Sequence, residues 1–166
     1  KRQHNFRIRR FTTSGSEDFN FLISTSATGA NKTVKAIAIQ PDGKIIAGGR
    51  FYSYNGSPSN YLVRLLPDGN KDASFNTGGI GPNSSVSAIA IQPDGKILVA
   101  GVFTGFNNID EWFLLRLNNN GSQDASFHAQ YSNINAFSSL EFIRVLPDGK
   151  ILIGADGTNN SLLRLN

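Results

Sequence analysis

An arginine followed eight residues later by an aspartate recurs along this 166-residue chain, as Arg10/Asp18, Arg64/Asp72 and Arg116/Asp124, and Arg164 repeats the arginine alone. A guanidinium presents rigid donors that match a carboxylate. Four such arginines could form a ligand-binding ring. The fixed spacing favours an ion pair inside each repeat that positions an outer segment. A second recurring group is the Pro-Asp-Gly-Lys turn at Asp42, Asp94 and Asp148. Calcium takes six to eight oxygens, usually from clustered carboxylates. One aspartate followed by a lysine makes a poor site and a good hairpin turn, so no metal is expected.

Catalytic constellations are missing from the pattern. His4 and His128 are the only histidines, and neither accompanies a recognisable serine nucleophile. Glu17/Asp18 and Asp110/Glu111 are neighbours in sequence, so on a strand their side chains diverge. No Walker-type glycine loop occurs, and the absence of cysteine excludes thiol nucleophiles, zinc–thiolate sites and disulfides. We expect no enzyme activity and no cofactor.

Binding is better served. Phe51 and Phe103 hold the same repeat position, which suits a core. Tyr52, Tyr54, Phe106 and Trp112 are taken as non-repeating loop aromatics, suited to sugar stacking or a protein contact. Arg7 and Arg9 fall where other repeats carry mostly apolar residues, such as Tyr61 and Val63. That doubly cationic strand fits an edge of the array, where charge discourages pairing, or an acidic partner.

The elements that hold these residues are short strands. Val34–Lys44 returns as Val86–Lys96 with ten of eleven positions identical, and a diverged copy runs from Leu140 to Lys150. The spacings are 52 and 54 residues. Apolar runs of strand length flank each Pro-Asp-Gly turn, where proline presets φ and glycine accepts positive φ. Tyr61–Leu65, Phe113–Leu117 and Ser161–Leu165 supply a third strand, and the Asp-Ala-Ser-Phe segments are candidates for a fourth. Four short strands in about fifty residues describe a propeller blade. The fold class is therefore all-β, with about three four-stranded blades in an incomplete ring. The units are 1–33, a basic strand and partial blade; 34–85 and 86–139, two blades; and 140–166, a partial, diverged blade.

The pattern Val-x-x-Ile-Ala-x-Gln-Pro-Asp-Gly-Lys-Ile, then Gly-x-Phe, Arg-Leu and Asp-x-Ser-Phe, resembles the bacterial delta-60 repeat, an uncharacterised β-propeller repeat of large exported, cell-surface and some phage-associated proteins. The resemblance spans nearly the whole chain. The third copy departs from it, lacking the Ile-Ala-Ile core and replacing Gly-x-Phe with Ala155-Asp-Gly-Thr. The family offers no catalytic residues to carry over.

Three repeats do not close a propeller, for which about four blades are the minimum. The last repeat stops before its Asp-x-Ser-Phe part, and the N-terminus begins with an equivalent of that part. Two expectations follow: further blades of a longer chain, or copies that complete one another's blades, six to a dimer. The absence of methionine favours the first, since Lys1 is then not an encoded start.

Charge narrows the partners. Lys1, Arg2, Arg7, Arg9 and Arg10 supply five of the 16 basic residues, leaving 11 basic against 12 acidic. A nucleic-acid surface needs a basic face spread over the domain, so no nucleic acid is expected. No apolar run approaches membrane-spanning length, and no membrane insertion is expected. The expected partners are other blades, other subunits, a protein or a glycan. The expected role is a non-enzymatic scaffold or adhesion module, extracellular or at a cell surface, with a glycan-binding module or a virion component as alternatives. Sequons begin at Asn31, Asn55, Asn83, Asn120 and Asn159.

Overall fold

The computed structural model describes residues 8–21, 29–127, 137–157 and 162–165. His4, Arg7 and His128 lie outside them. The first blade comprises β1 (Val34–Ile39), β2 (Ile45–Gly49) and, after a two-residue ribbon of β3 (Ser53–Tyr54) and β4 (Ser57–Pro58), β5 (Leu62–Leu65). The second repeats this order with β6 (Val86–Ile91), β7 (Ile97–Gly101), β8 (Gly105–Phe106), β9 (Ile109–Asp110) and β10 (Leu114–Leu117). The third holds β11 (Phe137–Val145), β12 (Ile151–Gly157) and β13 (Leu162–Leu165). Each blade is an antiparallel three-stranded sheet with its second strand central. The described residues contain no helix, and the three blades do not close a ring.

Turn chemistry sets the hairpins. Gly43, Gly95 and Gly149 sit at φ near +82°, +83° and +83°, where only glycine is unstrained. The preceding aspartate accepts the backbone N–H two residues on, as Asp42 does from Lys44 at 3.1 Å. Each inner strand carries a bulge at its start, between Val34 and Ala36 in β1 and between Val86 and Ala88 in β6. There the chain presses on the end of the second strand. A Cβ on Gly49 or Gly101 would collide with the carbonyl of Thr33 or Ser85. Tyr61 and Phe113, at φ +61° and +64°, form γ-turns in which Leu62 N–H donates to Asn60 and Leu114 N–H to Trp112. A left-handed aromatic costs about 1–2 kcal/mol, and its recurrence makes it part of the blade's design.

Packing between blades gives three cores, one for each pair of consecutive units. Ile8 and Phe21 of the N-terminal segment cover Ala47, Val63 and Leu65. Ile46 and Leu62 of the first blade meet Val86, Val99 and Leu117 of the second. Leu98, Ala100 and Leu114 of the second meet Ile143, Ile151 and Ile153 of the third. Each sheet thus has a leading face toward the preceding unit and a trailing face toward the next.

Three expectations are corrected. The Asp-Ala-Ser-Phe segments do not form a fourth strand. They pair through single bridges, Leu65 with Lys71 and Leu117 with Gln123, and then turn. The reason is local: Asp72 Oδ1 accepts the Ser74 N–H at 3.0 Å and the Ser74 hydroxyl at 2.6 Å, which bends the backbone out of extension. Residues 8–10 form no strand either. In the blades this position pairs with the second strand, as Arg64 does with Ile46, whereas among the described residues the segment 8–21 shows a bridge of Phe11 with Glu17. Finally β11 begins at Phe137, ahead of the boundary expected at residue 140.

Candidate functional site

The recurring arginines are held inside the repeats. Arg64 Nε lies 2.9 Å from Asp72 Oδ2, and Nη2 lies 3.2 Å from the Ser74 hydroxyl. Its guanidinium stacks 4.7 Å over the Phe75 ring. Arg116 repeats this with Asp124 at 2.8 Å and Phe127 at 4.6 Å, and Arg10 with Asp18 at 2.8 Å and Phe21 at 5.0 Å. The spacing of eight arises because the outer strand bridges back on itself, so that Asp72 N–H donates to the Arg64 carbonyl at 2.9 Å. The guanidinium also reaches the next unit. Arg10 donates to the Pro67 carbonyl and Arg64 to the Asn119 carbonyl, which occupy the same repeat position.

Electrostatics follow the contacts. Burial alone would raise the Asp72 carboxyl, but hydrogen bonds from Ser74 and the Arg64 charge outweigh it and hold it below the usual range. Asp124 is held lower still, first by the Ser126 hydroxyl and then by Lys96, whose ammonium is 2.9 Å away. Asp18 is lowered chiefly by the Asn20 N–H.

The inner strands converge on an axis. Lys35, Ser87 and Glu141 share one repeat position, and Lys35 Nζ lies 3.4 Å from Ser87 Oγ and 3.7 Å from a Glu141 carboxylate oxygen. At one end of that axis lies a cavity of about 550 Å³ lined by Ile39, Ile91 and Val145, by Pro41, Pro93 and Pro147, and by Gln92, Arg144 and Leu146. Its lining is largely apolar. A second cavity of about 360 Å³ lies at the rim, beside Arg64, Lys71, Phe75 and the loop from Asn76 to Gly81. Burial lowers the Lys71 ammonium, whose Nζ donates to the Pro58 carbonyl at 2.6 Å. Among the described residues no group of three or more His, Cys, Asp or Glu could hold a metal ion.

The four aromatic candidates separate. Tyr54 and Phe106 are fully buried, so they are corrected from binding residues to core residues. They stand 52 residues apart, at the same repeat position. The Tyr54 hydroxyl donates to the Gly69 carbonyl at 2.9 Å, and burial raises its pKa. Tyr52 and Trp112 remain exposed, at 52% and 46%. The Lys32 ammonium sits 5.1 Å from the Tyr52 ring centroid, and Trp112 packs edge-on to Phe113. Arg9 pairs with Glu17 of its own segment at 3.5 Å.

Asparagines carry a loop-holding role that the sequence did not show, Asn31, Asn55 and Asn83 having stood out there only as sequons. Asn31 Oδ1 accepts the Tyr52 and Ser53 N–H groups, and Asn83 Oδ1 those of Thr104 and Gly105. Asn55 and Asn107 accept the Gly29 and Gly81 N–H groups, both at 2.8 Å. All four sit at repeating positions 52 residues apart, which was the available signal.

No curated protein matches the chain. A family model described as a domain of unknown function, DUF5122 beta-propeller, matches residues 40–75, 92–127 and 146–166. Those three stretches each run from the Gln/Leu-Pro-Asp-Gly turn toward the arginine–aspartate cluster and cover more than half the sequence. The chain therefore belongs to the DUF5122 β-propeller family, the delta-60 repeat.

Proposed function

We propose that this chain is a non-enzymatic β-propeller scaffold or adhesion module of an exported or surface-assembled protein. One observation carries the proposal: the recurring polar residues are engaged in holding repeats together. Arg64 is tied to Asp72, Ser74 and the Asn119 carbonyl, and Asn83 to the loop at Thr104 and Gly105. Groups fixed this way give rigidity rather than a reactive centre. An array that is rigid and repetitive presents its loops and rim at fixed spacing, as adhesion requires. Beads coated with the folded chain should adhere to the surface of the producing cells more strongly than beads coated with the heat-unfolded chain. Equal adhesion of the two would refute the proposal.

A second reading, glycan binding at the rim, rests on Tyr52 and Trp112, two exposed aromatic faces on the loops after the second strands. Stacking on a sugar ring needs such faces. Glycan-array binding that disappears in both Tyr52→Ala and Trp112→Ala would favour it over the scaffold.

A further inference from the structure

The rim cavity beside Arg64 holds a charge that the blade does not need. Lys71 forms a bridge with Leu65, as Gln123 does with Leu117 and Glu17 with Phe11, so the three share one repeat position. A cation, an amide and an acid all stand there, and building the blade therefore requires no particular charge at this place. Among the described residues Lys71 also differs from the other lysines. Lys35, Lys44, Lys96 and Lys150 each pair with a carboxylate, and Lys32 lies over the Tyr52 ring. The Lys71 ammonium has no acidic partner among these residues. It donates to the Pro58 carbonyl at 2.6 Å, which uses one of its three N–H donors.

Another wall of the cavity is fixed backbone. The loop at residues 76–81 is fastened to the second blade, where Asn76 N–H donates to the Asn120 carbonyl at 2.9 Å and Gly81 N–H to Asn107 Oδ1 at 2.8 Å. The Asn76 and Asn107 amides also donate to each other, at 3.2 and 2.7 Å. A Cβ on Gly79 would collide with both amides, so this closure depends on glycine there. Gly78, at φ +78°, faces open space where a side chain would stand. The corresponding stretch after Phe127, residues 128–136, contains no glycine. The cation and the glycine wall thus belong to this unit alone of the two complete blades, and a wall tied down in advance loses little entropy when a ligand binds.

We propose that this cavity binds a small monocarboxylate with an apolar body, its carboxylate on the Lys71 ammonium. This goes beyond the scaffold reading and does not depend on it, and it uses neither Tyr52 nor Trp112. The single charge follows from the lining. Arg64 and Asp72 neutralise each other at 2.9 Å, and Arg64 is further tied to Ser74 and the Asn119 carbonyl, which leaves Lys71 as the uncompensated charge. A dianion such as phosphate would bring a second charge that nothing in the lining matches. The apolar body follows from Leu62, Val63, Phe75 and Ile80, which line the same cavity, Ile80 being 52% exposed. Its volume of about 360 Å³ lies within the range of small-ligand sites. Lys71 is exposed, so a ligand reaches it from solvent, while partial burial of its ammonium disfavours the charge until an anion arrives.

The test titrates the full chain with benzoate and with its neutral counterpart benzamide, followed by amide NMR. The N–H resonances of Gly78, Gly79 and Gly81 should shift saturably with benzoate, at a dissociation constant on the order of 1 mM. Benzamide should bind about tenfold more weakly or worse, since it lacks the charge-assisted hydrogen bond. Lys71→Gln should weaken benzoate binding by about tenfold as well. That variant keeps its fold, because glutamine already stands at this position as Gln123, and its unshifted resonances elsewhere verify it. Lys32→Gln removes a cation outside the cavity and should leave the affinity unchanged. The proposal is overturned if no saturable shift develops by about 10 mM benzoate, or if benzamide binds equally well. Equal losses in Lys71→Gln and Lys32→Gln overturn it too, since they would mark general charge attraction.

Discussion

Replacing Arg10, Arg64 and Arg116 one at a time by Met should destabilise the chain unequally, in the order Arg64, Arg116, Arg10. The side chains of Arg64 and Asp72 are only 6% and 7% exposed. Removing the guanidinium there strands a buried carboxylate, at a cost of about 3–5 kcal/mol. At Arg116 the carboxylate is not stranded, because Lys96 Nζ stays 2.9 Å from Asp124, and the loss falls to about 1–2 kcal/mol, the scale of one charged hydrogen bond. Arg10 is 40% exposed, solvent screens its pair, and the loss is at most about 1 kcal/mol. Urea titration of each variant measures the order. A double change, Arg64→Met with Asp72→Leu, should recover at least half of the loss, because it removes the stranded charge as well as its partner. Equal losses at the three sites, or no recovery in the double variant, would show that the clusters do not act through buried charge.

The other predictions concern the core, the loops and pH. Tyr54→Ala should cost about 3–5 kcal/mol and Tyr54→Phe only about 1, since phenylalanine already occupies that position at Phe106. Tyr52→Ala should stay within about 0.5 kcal/mol, and thermal and urea melts of the three check the assignment of Tyr54 to the core. Asn83→Ala leaves the Thr104 and Gly105 N–H groups without their acceptor, and urea titration should show a loss of about 1–3 kcal/mol. Asp72 and Asp124 have folded pKa values below their ordinary 3.8, so the unfolded chain takes up those protons first. Their contribution is therefore complete above about pH 5 and fades as pH falls through 3.8. Urea midpoints that stayed constant down to pH 3 would contradict the sign.

Much of the blade could be read from the residues, because the signals were local. Alternating apolar residues ending in Pro-Asp-Gly lead to a hairpin in any context, and β1–β2 and β6–β7 follow that rule. The arginine–aspartate spacing was legible for the same reason, since both residues belong to one bridged segment. The fourth strand was misjudged because hydrophobic pattern cannot see a competing hydrogen bond: Asp72 and Ser74 bend the chain before a ladder forms. Tyr54 and Phe106 were misjudged for a different reason. An aromatic between asparagines and glycines looks like a loop residue, but their 52-residue separation marked them as one repeat position. The axial meeting of Lys35, Ser87 and Glu141 was beyond sequence, because it depends on how blades fan around one another.

The contacts of the arginines also couple one unit of this array to the next. The Arg10 and Arg64 guanidiniums each fasten the outer segment of their own unit and a carbonyl of the next, Pro67 and Asn119 respectively. An outer strand is therefore held by its own aspartate, by its own aromatic ring and by a neighbour. β5 has all three and is buried throughout. β13 carries Arg164 at the same position and alternates between exposed and half-buried. Nearest-neighbour coupling of this kind makes an end blade weaker than a central one of equal composition.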